Sequence, residues 1–223
     1  MARPGVAGAL EPLGNSFADG FRILIDPSAS ENRRRFTLAH EICHTFFYEL
    51  VPEIKFRPHD VFPDEERLCD VGASELLMPA RSLKKSAKDR PVSVETLQAL
   101  ADEYSVSKSA MLLRLRALDC WKCELTEWHR MRDGSFSLLR VIGGVTRPWL
   151  WEDDSILPSA WEGGVRVGTA YVSYRDERGI QFYRPEVRFQ VVKFSDKLVS
   201  LWGPDVCAER DSSRRRSLPL FGE

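Results

Sequence analysis

Two histidines four residues apart, His40 and His44, with Glu41 directly after the first, are the residues of this chain best suited to chemistry. On a helix, residues four apart stand one above the other, so two imidazole nitrogens can be aimed at one metal ion, and zinc suits them. Glu41 is then offset from that point, where its carboxylate can reach a water on the ion without binding the ion itself. That is the position of a general base in metal-assisted hydrolysis. The plainer reading is two histidines met by chance on a surface helix. The flanking sequence speaks against it: Phe36, Ala39, Ile42, Cys43, Phe46, Phe47 and Leu50 recur at three- and four-residue steps until Pro52, the pattern of a helix with one wide apolar face.

A catalytic zinc usually takes three protein ligands and leaves a fourth position to water. A third histidine six residues after His44 is excluded, because Leu50 stands there. The acidic candidates are Glu49 and Glu53 nearby, and Glu65, Glu66 and Asp70 further on. Pro63, followed by Asp64, Glu65 and Glu66 and closed by Pro79, predicts a second helix from about Pro63 to Met78. On it Glu66 and Asp70 share a stripe with Ala73 and Leu77. This suits Glu66 as the third zinc ligand and Asp70 as the acceptor that orients a zinc-bound histidine, with a solvated acidic face as the alternative. Cys43 and Cys69 fall on apolar faces and read as core residues rather than thiolate ligands.

Other elements must position these residues. Gly20 to Asp26 is a β-branched, apolar run closed by Asp26-Pro27, which predicts a strand. Ser28-Ala-Ser-Glu31 has the form of a capping box at the start of the histidine helix. A linker is expected from Arg81 to Pro91. Two short helices then follow, Val94 to Tyr104 and Lys108 to Leu118, each with a serine before it (Ser93, Ser107), in a helix-turn-helix pattern. Leu97, Leu100, Met111, Leu112, Leu113, Leu115 and Leu118 read as their core, with Lys108, Arg114 and Arg116 as cations that could meet DNA. From Trp121 the pattern turns to alternating strands, Ser135 to Val141, Val165 to Val172 and Val187 to Val192.

The expected fold class is α+β: a zincin-like, mostly helical metallopeptidase domain with a short N-terminal sheet and a helix-turn-helix-like pair, followed by a β-rich domain. The expected layout is residues 1–90 for the metallopeptidase domain, 91–119 for the helix pair packed on it, 120–208 for a β-rich domain that could sense a ligand, bind the repressor or mediate assembly, and 209–223 for a charged, disordered tail.

Composition narrows the class. With 223 residues, 43% apolar and 29% charged, the chain can bury a real core, and its net charge of −1 gives no overall field toward nucleic acid or anionic lipid. No apolar run is long enough to span a bilayer and no signal-peptide order opens the chain, so a cytoplasmic protein without membrane contact is expected. Five scattered cysteines do not suggest a disulfide framework. Cys120 and Cys123, with His129 and Cys207, could form part of a second zinc site, although their spacing matches no common module.

Three stretches together resemble the ImmA/IrrE metallopeptidase family. They are Arg35-Phe-Thr-Leu-Ala-His-Glu-Ile-Cys-His44, then Glu66-x-x-Cys-Asp-x-x-Ala-x-Glu-Leu-Leu-Met-Pro79, then Leu100-Ala-x-x-Tyr-Ser-Val-Ser-x-x-Ala-Met-x-x-Arg-Leu115. The resemblance covers about residues 20–118. It implies a gluzincin-like fold with one zinc ion held by His40, His44 and Glu66, and Glu41 as catalytic base. It also implies a zinc metalloendopeptidase whose partner is a protein substrate, a helix-turn-helix repressor cleaved to release stress-response or mobile-element genes. The chain departs from the family where Ala-Asn and an aromatic are common, having Cys69-Asp70 and Gly72 instead. Family domains also usually carry further helical sequence upstream of the first strand, which leaves open whether Met1 is the biological start. The residue that stabilises the oxyanion is not assigned, with Tyr48, His59 and Tyr104 as candidates. The competing expectation is a non-enzymatic regulator that binds DNA or a repressor through the helix-turn-helix-like pair.

Overall fold

The computed structural model describes residues 7–14, 19–50, 62–143, 150–151, 155–175 and 181–207. The expected tail at 209–223 lies outside them, as do Glu53, His59 and the side chains of Tyr48 and Glu49. The architecture is α+β, helical first and sheet-rich afterwards. Two compact units divide the chain, Met1–Lys88 with Gln98–Cys120, and Asp89–Leu97 with Trp121–Glu223.

The first unit opens with two antiparallel strands, β1 (Gly8–Pro12) and β2 (Phe21–Ile25), in register from Gly8 opposite Ile25 to Pro12 opposite Phe21. β2 is the strand expected from the sequence. β1 is not, because Gly8-Ala-Leu-Glu-Pro12 buries only Leu10 and carries two residues that strands disfavour. Helix α1 (Glu31–Leu50) follows. Its expected capping box does not form: the Ser28 amide and hydroxyl both donate to Asp26 Oδ1, at 2.9 and 2.7 Å, in a turn that uses up the serine before the helix begins.

Helices α2 (Pro63–Leu77), α3 (Ala80–Ala87), α4 (Val94–Glu103) and α5 (Lys108–Ala117) complete the helical region. α3 replaces the expected linker. It starts directly after Pro79, buries Leu83 and Ala87, and sends the Ser86 hydroxyl to Glu103, so a four-residue apolar step suffices where the charged sequence suggested a loop. At the start of α5, the Ser107 hydroxyl accepts from the Ala110 amide as a side-chain cap. α1 and α2 lie close because Gly72 has no side chain: a Cβ there would stand 2.6 Å from Cys43 Sγ.

α5 reverses one expectation. Leu113, read as core, is 51% exposed, whereas Arg114, read as a DNA-facing cation, is buried. Its guanidinium donates to the Met78 carbonyl at 3.2 Å and pairs with Glu75, which ties α5 to the end of α2. The buried face of α5 is Met111, Leu112 and Leu115, and residue 114 lies on that side of the helix while residue 113 lies opposite. Arg114 therefore cannot serve as a nucleic-acid contact in this fold.

The second unit is built on a six-stranded antiparallel sheet in the order β4-β3-β8-β7-β6-β5. Its strands are β3 (Glu124–Arg130), β4 (Phe136–Ile142), β5 (Leu150–Trp151), β6 (Val165–Arg175), β7 (Gln181–Phe194) and β8 (Lys197–Trp202). Helix α6 (Ile156–Gly163) packs on one face, where Ile156 and Ala160 join Trp128, Val187, Phe189, Val191, Leu198 and Trp202 in one apolar cluster. On the strands themselves, Glu127 is buried between Arg140 and Lys197, which donate to it at 2.7 and 3.1 Å. No helix among the described residues is long and apolar enough to cross a membrane.

Candidate metal centre

α1 carries His40 and His44 one turn apart, and α2 brings three carboxylates to them. The two Nε2 atoms are 3.1 Å apart. Glu66 reaches both, Oε2 lying 3.2 Å from His40 Nε2 and Oε1 3.4 Å from His44 Nε2. Four ligands placed tetrahedrally at zinc distances are separated by about 3.3 Å, so these spacings suit one small cation. His40, His44 and Glu66 form the only cluster of potential metal ligands among the described residues. Cys120, Cys123 and His129 do not assemble into a second one.

Behind the donors, each imidazole is held from its far side. His40 Nδ1 lies 2.9 Å from Asp70 Oδ1, and His44 Nδ1 lies 2.8 Å from Glu65 Oε1. With Nδ1–H donated to a carboxylate, each Nε2 presents its lone pair to the shared point. Two lone pairs and a carboxylate facing one another form an electron-rich group that a cation would satisfy. The donor chemistry therefore fits zinc, with imidazole nitrogen and carboxylate oxygen both among its usual ligands.

The sequence suggests Asp70 as an orienting acceptor and Glu65 only as a third ligand. The structure places Asp70 on His40 and Glu65 on His44. The period of α2 could not separate these roles, since Glu65 and Glu66 are adjacent and each role depends on where α1 crosses. Glu65 is the more enclosed of the two acceptors, its side chain 22% exposed against 61% for Asp70.

Glu41, on the same helix, lies against β1. It is 8% exposed. A Cβ on Gly8 would stand 2.7 Å from Glu41 Oε1 and would also strike Thr37. Gly8 is thus a close-approach position, and the one sequence signal for it is a glycine inside a strand. Burial raises the Glu41 pKa above the usual carboxylate value, and the neighbouring His44 and His40 pull it partly back. A raised pKa makes the carboxylate a stronger proton acceptor, as a general base requires. Tyr104, one of the oxyanion candidates, has its hydroxyl bonded to Ser82 at 2.9 Å and Ser86 at 3.3 Å. Cys43 and Cys69 are buried, and burial pushes the Cys69 thiol up to about 12.

Comparison with known proteins adds an independent line. Residues 11–116 match the IrrE N-terminal-like domain, a stretch that contains α1, α2 and every donor just described. This stretch belongs to the ImmA/IrrE family. The IrrE-like region is also seen against whole proteins: the radiation response metalloprotease IrrE of Deinococcus radiodurans is 34% identical over 127 residues, 50% of this chain and 37% of that protein. The protein of the same name from Deinococcus deserti is 33% identical over 102 residues, 42% of this chain and 35% of that protein. The chain thus spans little more than a third of these relatives. A Mycobacterium tuberculosis transcriptional regulator of known structure overlaps 91% of this chain and 63% of its own at a TM-score of 0.41 and 11% identity, too loose a likeness to bear on function.

Proposed function

We propose that this chain is a zinc-dependent endopeptidase of the cytoplasm, and that it cleaves a helix-turn-helix transcriptional repressor to release stress-response or mobile-element genes. The observation that carries the catalytic reading is the convergence of His40, His44 and Glu66 on one point, with the buried Glu41 on the same helix. The name of the two Deinococcus relatives, radiation response metalloprotease, supports it. The choice of a repressor as substrate rests on the family resemblance.

Bound at these three donors, zinc would supply a Lewis acid that polarises a peptide carbonyl and makes water acidic enough to react near neutral pH. The remaining work belongs to side chains. Asp70 and Glu65 keep the imidazoles in the tautomer that leaves Nε2 free. Glu41 takes a proton from the attacking water and returns it to the leaving amine. An extended substrate could add to a strand edge by main-chain hydrogen bonds, and β1, whose Gly8 lies against Glu41, runs beside the proposed base.

The test uses the purified full chain, loaded with zinc, and a helix-turn-helix repressor of the same genome, chosen first from the genes next to its own. Wild-type protein is expected to cut that repressor, and Glu41→Gln to retain zinc but leave it intact. Equal cleavage by the variant would overturn the catalytic reading; activity on a generic peptide without any on the repressor would overturn only the substrate.

A further inference from the structure

A second concave site lies in the sheet-rich unit, and nothing in the peptidase reading uses it. The β3–β4 turn, the β7–β8 turn and α6 border an open surface depression of about 460 Å³, lined by His129, Arg130, Arg132, Trp161, Ser195 and Asp196 among others. Small-molecule pockets commonly measure about 300–1,000 Å³.

The charge around this depression is not balanced. The Arg130 guanidinium sits 5.3 Å from the centroid of the Trp161 ring, and the Lys193 ammonium sits 4.2 Å from the same centroid. An indole attracts each cation by about 0.5–1 kcal/mol at an exposed site, but it neutralises neither. Among the described residues, Arg130, Arg132 and Lys193 form no ion pair with a carboxylate. Asp133, in the same turn as Arg130 and Arg132, is committed to the Ser135 amide and hydroxyl at 2.9 and 2.6 Å. Among the described residues, Asp196 is the only acid that lines the depression. The platform is set by the fold, since Trp161 packs against the core cluster and against Phe136 at 5.9 Å between ring centroids.

We propose that this depression binds a small phosphorylated molecule of about mononucleotide size, its phosphate held by the lining guanidinium groups of Arg130 and Arg132, with the Lys193 ammonium adding positive charge beside the Trp161 ring. Arg130, Arg132 and Lys193 against Asp133 and Asp196 leave a net charge of about +1, so the choice of phosphate rests on the two guanidinium groups at the site. Guanidinium groups match phosphate oxygens in pairs, and the edge of Trp161 with the Met131 side chain offers an apolar wall to the rest of the molecule. The proposal does not depend on the metal centre and stands or falls apart from it.

The experiment is isothermal titration of the full chain with adenosine 5′-monophosphate, ribose 5-phosphate, inorganic phosphate, adenosine and an oligothymidylate, at one fixed salt concentration. At least one of the two organic phosphates is expected to bind saturably with a Kd below about 1 mM and more tightly than inorganic phosphate, while adenosine does not bind. Arg132→Ala and Lys193→Gln, both at exposed positions, should each weaken that binding about tenfold with an unchanged melting curve. No saturable binding of either organic phosphate would overturn the proposal, as would equal affinity for inorganic phosphate, or affinity that both variants leave unchanged. Binding of the oligothymidylate without the organic phosphates would also overturn it, by assigning the patch to nucleic acid.

Discussion

His44 turns its Nδ1 to Glu65 Oε1 at 2.8 Å, just as His40 turns its own to Asp70 at 2.9 Å, so consecutive turns of α2 supply both the third donor and the orienting acceptors. The two acceptors should not matter equally. Glu65 is shielded and Asp70 mostly exposed, and water can replace an exposed acceptor at little cost. Glu65→Ala is expected to lower zinc affinity by about 10–100-fold, and Asp70→Ala by less, in competition with a chromophoric chelator. A larger loss for Asp70→Ala, or none for Glu65→Ala, would contradict this ranking.

Gly8 gives Glu41 its room. Gly8→Ala places a methyl where the carboxylate and Thr37 now sit, so the strand or the carboxylate must move. The variant should lose about 1–3 kcal/mol of stability in urea, and peptidase activity should fall about 100-fold if the carboxylate is displaced by about 1 Å, while zinc binding is kept. Unchanged stability together with unchanged activity would mean that β1 yields without consequence.

Arg114 links α5 to α2 and is not available to DNA. Arg114→Ala should cost about 2 kcal/mol, because the Met78 carbonyl and the Glu75 carboxylate lose a charged donor in one step. Chemical denaturation measures this. A variant of native stability that loses affinity for duplex DNA would restore the regulator reading of these helices.

Glu127 sets an acid limit on the sheet. Burial alone would raise its pKa, but hydrogen bonds from Arg140 and Lys197 outweigh burial, so the folded value lies below the usual 4.5. The unfolded chain therefore takes up this proton first as pH falls. The stabilisation is fully present above about pH 4.5 and is lost as pH drops through the lower folded value. Glu127→Gln should be less stable than wild type by about 2 kcal/mol at neutral pH, with the gap closing in acid. A gap that stays constant down to the acid transition would show that the pair contributes no pH dependence.

Much of the metal centre is legible in the amino-acid sequence. The spacing of His40 and His44 signals a shared helix face because the helical repeat is set by hydrogen bonds inside the segment, independent of its neighbours. Pro63 and Pro79 mark the limits of α2, and Ser107 the start of α5, for similarly local reasons. The two serines differ for a local reason as well, since Asp26 engages Ser28 before it can cap α1.

Relations between segments are not legible there. Which acid meets which histidine depends on where α2 crosses α1, and that crossing rests on the contact of Gly72 with Cys43. The exchange of Leu113 for Arg114 on the buried side of α5 depends on Glu75 and Met78 waiting at the end of α2. β1 has little strand character of its own and forms by pairing with β2. The sequence by itself determined the kind of chemistry, because residue types and helical spacing are local properties. Only the tertiary structure decided the partners, Glu65 for His44, Gly8 for Glu41 and two cations for Trp161, because each of these depends on distances between elements far apart in the chain.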